Sequence, residues 1–181
     1  MARYRHNVSC YNDDIQVTAG VALAGLINAL KIAGGELNDQ RILFLGAGSA
    51  AIGLADLIVS ALGQQGVSSE DAHANIRMFD TQGLVVSGRS NLPPHKRPYA
   101  HDLPATEAFD PHDLASESPR IVAAVENFKP TILIGVSTVS RLVDQQVVQA
   151  MAQRNARPIV FALSKPTEKH ECLPADAYAA C

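Results

Sequence analysis

The chain has 181 residues, 47% of them hydrophobic and 18% charged, with a formal net charge of -3. This length predicts one well-buried domain, and the small, scattered charge gives no basis for binding nucleic acid or an anionic membrane. Three cysteines without C-x-x-C spacing argue against a disulfide framework or a zinc site and favour a cytoplasmic protein. No apolar run has the roughly 18 residues that a membrane span needs, and the N-terminus lacks the apolar region of a secretory signal.

The first predicted element is a helix over residues 18–33, where a largely apolar run follows a polar opening and Thr18 can act as the cap. Gly34 and Gly35 end this helix. We then predict a strand over 41–45, a helix over 50–62, a polar loop around 64–69 and a strand over 76–80. This alternation of strands and helices is typical of a parallel sheet.

Residues 81–119 contain many prolines, acids and histidines with little periodicity, which predicts a long surface connection. Alternation resumes with a helix over 120–127, a strand over 131–136, a helix over 142–153 and a strand over 158–163. Residues 174–180 favour one more short helix. The chain is therefore predicted to be an α/β protein, a single domain with a Rossmann-like, doubly wound parallel sheet.

The most informative motif is a G-x-G-x-x-A turn between the first predicted strand and its helix. Its residues are Gly46, Ala47, Gly48, Ser49, Ala50 and Ala51. One glycine suits a tight turn and the other lets the backbone approach a pyrophosphate, which the free N–H groups and the helix dipole stabilise. Asp80 ends the next strand and can accept hydrogen bonds from an adenosine ribose. These residues predict a dinucleotide site, with a purely structural glycine turn as the alternative.

Three motifs follow one another along the chain: CYNDDIQ at 10–16, GAG at 46–48 and FALSKPT at 161–167. Together they resemble the nicotinamide-binding domain of the malic enzyme family, and the resemblance runs through essentially the whole chain. It implies an oxidoreductase that decarboxylates L-malate to pyruvate and carbon dioxide with NAD or NADP and with Mg or Mn. In this pattern Asp14 is a metal ligand and Asp13 supports the catalytic lysine. From the residues alone, the two acids could simply stabilise a helix N-terminus.

The resemblance also implies cofactor contacts at Val136, Ser137 and Lys165, and the chain departs from the family pattern there and at Val17. Residues 136–140, which begin with Val136 and Ser137, replace a glycine-rich loop and are closer to malolactic enzymes, which convert L-malate to L-lactate. A plain strand-to-helix turn is equally compatible. Lys165 replaces an asparagine and cannot accept the hydrogen bond of an amide oxygen, so we expect weaker productive binding. Val17 replaces a glycine, and a positive φ there would strain the chain.

The choice between the two nicotinamide cofactors depends on charges near Asp80. This carboxylate would repel a 2′-phosphate, which favours NAD. Lys96 and Arg97 lie where some NADP-using relatives carry a selective lysine, and they could screen such a phosphate. We therefore predict NAD as the cofactor, with NADP as the alternative.

In the family, the catalytic tyrosine and lysine and two more carboxylate ligands precede the segment that starts at Met1, and a substrate-side asparagine region follows Cys181. The resemblance thus implies that residues 1–11 are the tail of a missing N-terminal domain. Residues 12–181 would be the nicotinamide-binding domain, truncated at the C-terminus. We expect no malate turnover by the chain alone and a homo-oligomer for the full-length enzyme. The competing hypothesis is a non-catalytic nucleotide-binding module.

Overall fold

The computed structural model describes residues 7–102, 117–137 and 139–179, apart from the side chains of Asp14 and Glu117. Its strands are β1 (Ile42–Leu45), β2 (Ile76–Asp80), β3 (Gly83–Leu84), β4 (Ile132–Gly135) and β5 (Ile159–Ala162). Its α-helices are α1 (Thr18–Ala33), α2 (Ser49–Gln64), α3 (Ser69–Ala74), α4 (Glu117–Phe128), α5 (Gln145–Arg154) and α6 (Pro174–Ala179). Short helical turns cover Asp13–Val17, Leu37–Asp39, Pro94–Tyr99 and Thr167–Lys169.

The strands form one five-stranded sheet in the order β3-β2-β1-β4-β5. Strand β1 pairs in parallel with β2 and β4, β4 pairs in parallel with β5, and only the short β3 runs antiparallel, against β2. Every residue of β1 and β4 is buried, as expected for a parallel sheet covered by helices on both faces. The predicted Rossmann-like, doubly wound sheet is confirmed.

The two faces of the sheet carry separate hydrophobic clusters. Along β1, Ile42 and Phe44 belong to the cluster with α1 and α2, whereas Leu43 and Leu45 belong to the cluster with α4 and α5. This division follows from the two-residue period of a strand, which directs successive side chains to opposite faces. The sheet therefore packs between two helical layers.

Helix α1 has the predicted bounds, but its start differs from the prediction. Val17 is the N-cap residue and makes no side-chain capping bond, while Thr18 is already helical. The chain is instead capped earlier, where the Asn12 side chain accepts a hydrogen bond from the Ile15 N–H at 2.9 Å. The predicted stop is confirmed, because Gly34 takes φ 81° and donates its N–H to the Leu30 carbonyl.

Two stretches for which no helix or strand was predicted contain ordered structure. Residues 69–74, at the end of the predicted polar loop, form α3, which the Ser68 side chain caps. The predicted surface connection over 81–119 is wrong where it contains β3 and buried side chains. Within that stretch, Leu84 and Val85 are buried, and so is Tyr99, whose hydroxyl donates to the Asp56 carboxylate at 2.6 Å. Isolated large apolar residues leave no periodic pattern, so the prediction overlooked them. The predicted loop over 103–116 lies outside the described residues.

One helical stretch, Ile15–Ala33, has 19 residues with mean hydropathy 1.6 and could cross a membrane by length and composition alone. This differs from the expectation that no such run is present. Its buried residues Ala19, Ala22 and Leu26 pack in the core cluster with α2. Because a core helix passes the same length and composition test, the stretch is weak support for a membrane span.

Candidate functional site

A cleft of about 500 Å³ opens at the carboxyl ends of β1, β2 and β4. The strand order reverses between β1 and β4, and open α/β sheets bind ligands at this switch point. Most of the predicted cofactor residues line the cleft, namely Gly46, Ala47, Gly48, Ser49, Ala50, Asp80, Val136 and Ser137. Ala51 is buried in the core instead, and Lys165 is exposed and does not line this cleft.

The two glycines of the turn have different roles. Gly46 takes φ 125°, and a Cβ there would lie 2.5 Å from the Val136 carbonyl oxygen, so only glycine allows β1 and β4 to end so close together. Gly48 is the N-cap of α2 and has no side-chain capping bond, and a Cβ there would meet nothing within 4 Å. The first turn of α2 therefore presents N–H groups beside open space, an arrangement that fits a pyrophosphate.

Asp80 lies at the end of β2 in a dense ionic cluster. Its two carboxylate oxygens accept bonds from Arg89 Nη1 at 2.8 and 2.9 Å, and one also accepts from Lys96 Nζ at 2.7 Å. The Gln82 N–H donates to the other at 2.9 Å. Burial raises the pKa of this carboxyl, but the bonds from Lys96, Arg89 and Gln82 outweigh burial and lower the pKa of Asp80 below its ordinary value.

The sequence prediction identified Lys96 but missed Arg89. Arg89 Nη2 donates to the carbonyl oxygens of Gly83 and Leu84 at 2.8 and 2.6 Å, so the guanidinium is fixed on both sides. Two cations therefore share the single carboxylate of Asp80, and the cluster has a formal charge of +1. The segment that supplies Arg89 was interpreted as a surface connection, which is why the sequence did not place it at the site.

The second residue that sequence reasoning missed is Glu171. Its side chain is fully buried and accepts bonds from Ser137, which lines the cleft, and from Ser164 after β5. Acids are rarely buried without partners. No local motif marks this glutamate, because its partner Ser137 lies 34 residues earlier in the chain.

The predicted catalytic acid and metal ligand lie on another part of the structure. Asp13 begins the π-helical turn before α1 and accepts a bond from the Tyr11 hydroxyl at 3.4 Å, while the side chain of Asp14 is not described. Gly53 of α2 lets this turn pack closely, since a Cβ there would lie 2.9 Å from Ile15 Cγ2. Val17 has φ -76° and ψ -51°, so the strain considered for a positive φ does not arise.

A metal site is not formed by the part of the chain that the structure describes. No group of three or more His, Cys, Asp or Glu residues able to hold an ion occurs among those residues. A divalent ion with hard oxygen ligands normally needs several such groups or waters. The described donor set therefore does not fit Mg or Mn by itself, and the roles of Asp13 and Asp14 stay predictions.

Comparison with known proteins decides the family. The family model for the malic enzyme NAD-binding domain matches residues 15–181. The chain belongs to the malic enzyme family. It is 44% identical over 176 residues to the NADP-dependent malic enzymes of Columba livia and Homo sapiens, an overlap that covers 97% of this chain and 29% of each relative. The chain thus spans about 29% of the length of these curated malic enzymes.

A solved malic enzyme shares the fold. The crystal structure of the Entamoeba histolytica malic enzyme matches with a TM-score of 0.68 and 29% identity, covering 95% of this chain and 32% of that one. The predicted resemblance to the nicotinamide-binding domain of malic enzymes is therefore confirmed. The malolactic alternative, which depended on the loop after β4, is not tested by these matches.

Proposed function

We propose that this chain is the NADP-binding domain of an enzyme that oxidatively decarboxylates L-malate to pyruvate and carbon dioxide. The observation that carries the choice of NADP is the pair of cations on Asp80. The sequence favoured NAD because Asp80 alone would repel a 2′-phosphate. In the structure Arg89 and Lys96 both bind that carboxylate, so one positive charge is left over, and a phosphate is a suitable partner for it. The Columba livia and Homo sapiens relatives are both NADP-dependent malic enzymes, which supports the same choice.

Each part of the cleft has a defined task in this proposal. The backbone at Gly48 and the first turn of α2 hold the pyrophosphate, and Asp80 with Lys96 holds the adenosine ribose and its phosphate. Val136 and Ser137, after β4, line the second half of the crevice, where a doubly wound sheet receives the other nucleotide. When bound, the nicotinamide supplies the hydride acceptor; the residues of this chain bind and orient it.

Fluorescence titration with NADPH and NADH tests cofactor choice, and calorimetry with 2′,5′-ADP and 5′-AMP isolates the 2′-phosphate. We expect the phosphorylated member of each pair to bind at least about tenfold more tightly, because a charged hydrogen bond is worth roughly 1.5–3 kcal/mol. Equal affinities would overturn the choice of NADP. Failure of a folded chain to bind any of the four would overturn the dinucleotide site itself.

The malate reaction needs a separate test, because the described residues do not form a metal site. We expect the 181-residue chain with Mg or Mn to show no malate-dependent formation of NADPH, measured by absorbance. A chimera in which this chain replaces the matching segment of a related malic enzyme should form NADPH in the presence of malate. Malate turnover by the chain alone would contradict the expectation that it is inactive by itself. The product of the chimera should be pyruvate. Lactate as the product would indicate the malolactic reaction instead.

A further inference from the structure

A buried carboxylate joins two loops at the carboxyl edge of the sheet. Glu171 has 0% exposure, and its Oε1 accepts the Ser137 N–H at 2.7 Å, the Ser137 hydroxyl at 3.1 Å and the Ser164 hydroxyl. Its Oε2 accepts the Ser164 N–H at 3.4 Å. Ser137 follows β4 and Ser164 follows β5, so one side chain fixes the position of both loops.

Backbone contacts extend this connection. The His170 and Glu171 carbonyls accept bonds from the Arg141 and Val143 N–H groups at 3.1 and 3.0 Å. The segment around Glu171 therefore runs along the loop between β4 and α5. The backbone that carries the Glu171 side chain is itself bonded to this loop. Two independent sets of bonds hold the loop that carries Ser137.

The last residue of β4 is shaped to admit this side chain. A Cβ at Gly135 would lie 2.8 Å from both Cγ and Cδ of Glu171. Real Cβ atoms essentially never come that close to another atom, so glycine is needed there for the carboxylate to be inserted. The buried position of Glu171 thus depends on Gly135, although the two residues lie 36 positions apart in the chain.

We infer that Glu171 is a positioning residue for the nicotinamide half of the cofactor site. It does not line the cleft; it acts through Ser137, which does. The buried carboxylate holds the Ser137 N–H and hydroxyl in one orientation and ties them to the β5 loop, so that this wall of the cleft is formed before the cofactor arrives. Such preorganisation lowers the cost of ordering the loop on binding. The inference rests on the proposed NADP site.

The test compares a whole cofactor with its adenosine half. Calorimetry measures NADPH and 2′,5′-ADP binding to the wild type, Glu171→Ala and Glu171→Gln. Alanine removes every acceptor, so NADPH should bind at least about tenfold more weakly, the effect of losing one or two buried hydrogen bonds, while 2′,5′-ADP binds as before. Glutamine keeps one oxygen for the donors that Oε1 serves, so it should restore NADPH binding to within about threefold of the wild type.

The outcomes separate the two proposals. Equal weakening of NADPH and 2′,5′-ADP, or no weakening of either, would overturn the positioning role. Failure of the wild type to bind 2′,5′-ADP would instead overturn the NADP site, and the inference with it. If Glu171→Ala does not fold, Ser164→Ala should change the two affinities in the same direction, since it removes the Ser164 hydroxyl that Glu171 Oε1 accepts and leaves only the longer bond from the Ser164 N–H. Glu168→Gln, an exposed acid on the same segment, is the matched control and should change neither affinity.

Discussion

The two halves of the cleft are organised in different ways. On the β1–β2 side, a helix N-terminus, Asp80 and Lys96 line the cleft, and Arg89 binds Asp80 beside it. On the β4–β5 side, the carboxylate of Glu171 is fully buried and bonded to the chain's own loops. In the proposed function the first half contacts an anion directly, whereas the second holds a loop in place.

Mutations in the two halves should therefore affect different properties of the protein. Changes on the β1–β2 side should alter the affinity for phosphate groups and depend on charge and salt, because the interactions are electrostatic. Changes on the β4–β5 side should alter loop order and leave the phosphate sites intact. Each half also ends in a glycine whose place no other residue could take without a clash. A Cβ at Gly46 would meet the Val136 carbonyl, and a Cβ at Gly135 would meet the Glu171 side chain.

The largest effect is expected where the two halves meet. Gly46→Ala forces a methyl group against the Val136 carbonyl at 2.5 Å and at φ 125°, so we expect a loss of about 2–5 kcal/mol in the free energy of unfolding. Urea denaturation followed by circular dichroism measures it. Gly48→Ala is the control: its methyl meets nothing within 4 Å, so it should cost at most about 1 kcal/mol while weakening NADPH binding. Equal losses from both variants would contradict this division of roles.

A smaller effect, confined to the β1–β2 half, is expected from Lys96→Ala. The substitution removes the ammonium that binds Asp80 at 2.7 Å, so NADPH should bind about 10–100-fold more weakly, the value of one charged hydrogen bond. NADH affinity should change little. Arg97→Ala, an exposed cation on the same turn, is the matched control. If Arg97→Ala reduces NADPH affinity and Lys96→Ala does not, the selective cation has been assigned to the wrong residue.

The charge cluster also predicts a pH dependence of the free energy of unfolding. The folded pKa of Asp80 is lowered, so its contribution to stability is present above the unfolded pKa of about 3.9 and is lost as the pH falls through the folded pKa. Urea denaturation from pH 5 downward should therefore show a steeper loss for the wild type than for Asp80→Asn. Parallel pH profiles of the two proteins would show that Asp80 is not stabilised by its cations.

Much of the fold could be predicted because a parallel sheet buries its strands on both faces. The resulting apolar run located β1 to within one residue of the bounds that the structure has. The apolar run before Gly34 located α1 with its bounds. Helix α3 was missed because its six residues, SEDAHA, carry one buried side chain, Ala72, and so no apolar period. Tyr99 was missed for a related reason, because a single buried aromatic residue in a proline-rich segment gives no periodic apolar pattern.

Within the site, what could be predicted depended on the spacing of the contacts along the chain and not on the two halves of the cleft. The glycine turn and Asp80 were predictable because their chemistry requires neighbouring residues in a fixed order. Arg89 and Glu171 were not, because their partners are set by the folded chain: Arg89 lies nine residues beyond Asp80, across the turn to β3, and Glu171 contacts Ser137 from a different loop. Long-range polar contacts of this kind leave no local pattern.

The smallest effect is expected from Lys165→Asn in the β4–β5 half. Lys165 is exposed and follows Ser164, which Glu171 anchors. An asparagine offers the amide oxygen that an ammonium lacks, so NADPH should bind more tightly, by no more than about threefold because exposed contacts are weak. Affinity for 2′,5′-ADP should not change, and Lys169→Asn, another exposed lysine, is the control. If NADPH affinity is the same in Lys165→Asn and wild type, the sequence-based assignment of Lys165 to the cofactor site is wrong. The second half would then affect NADPH binding through the buried carboxylate of Glu171 and not through Lys165.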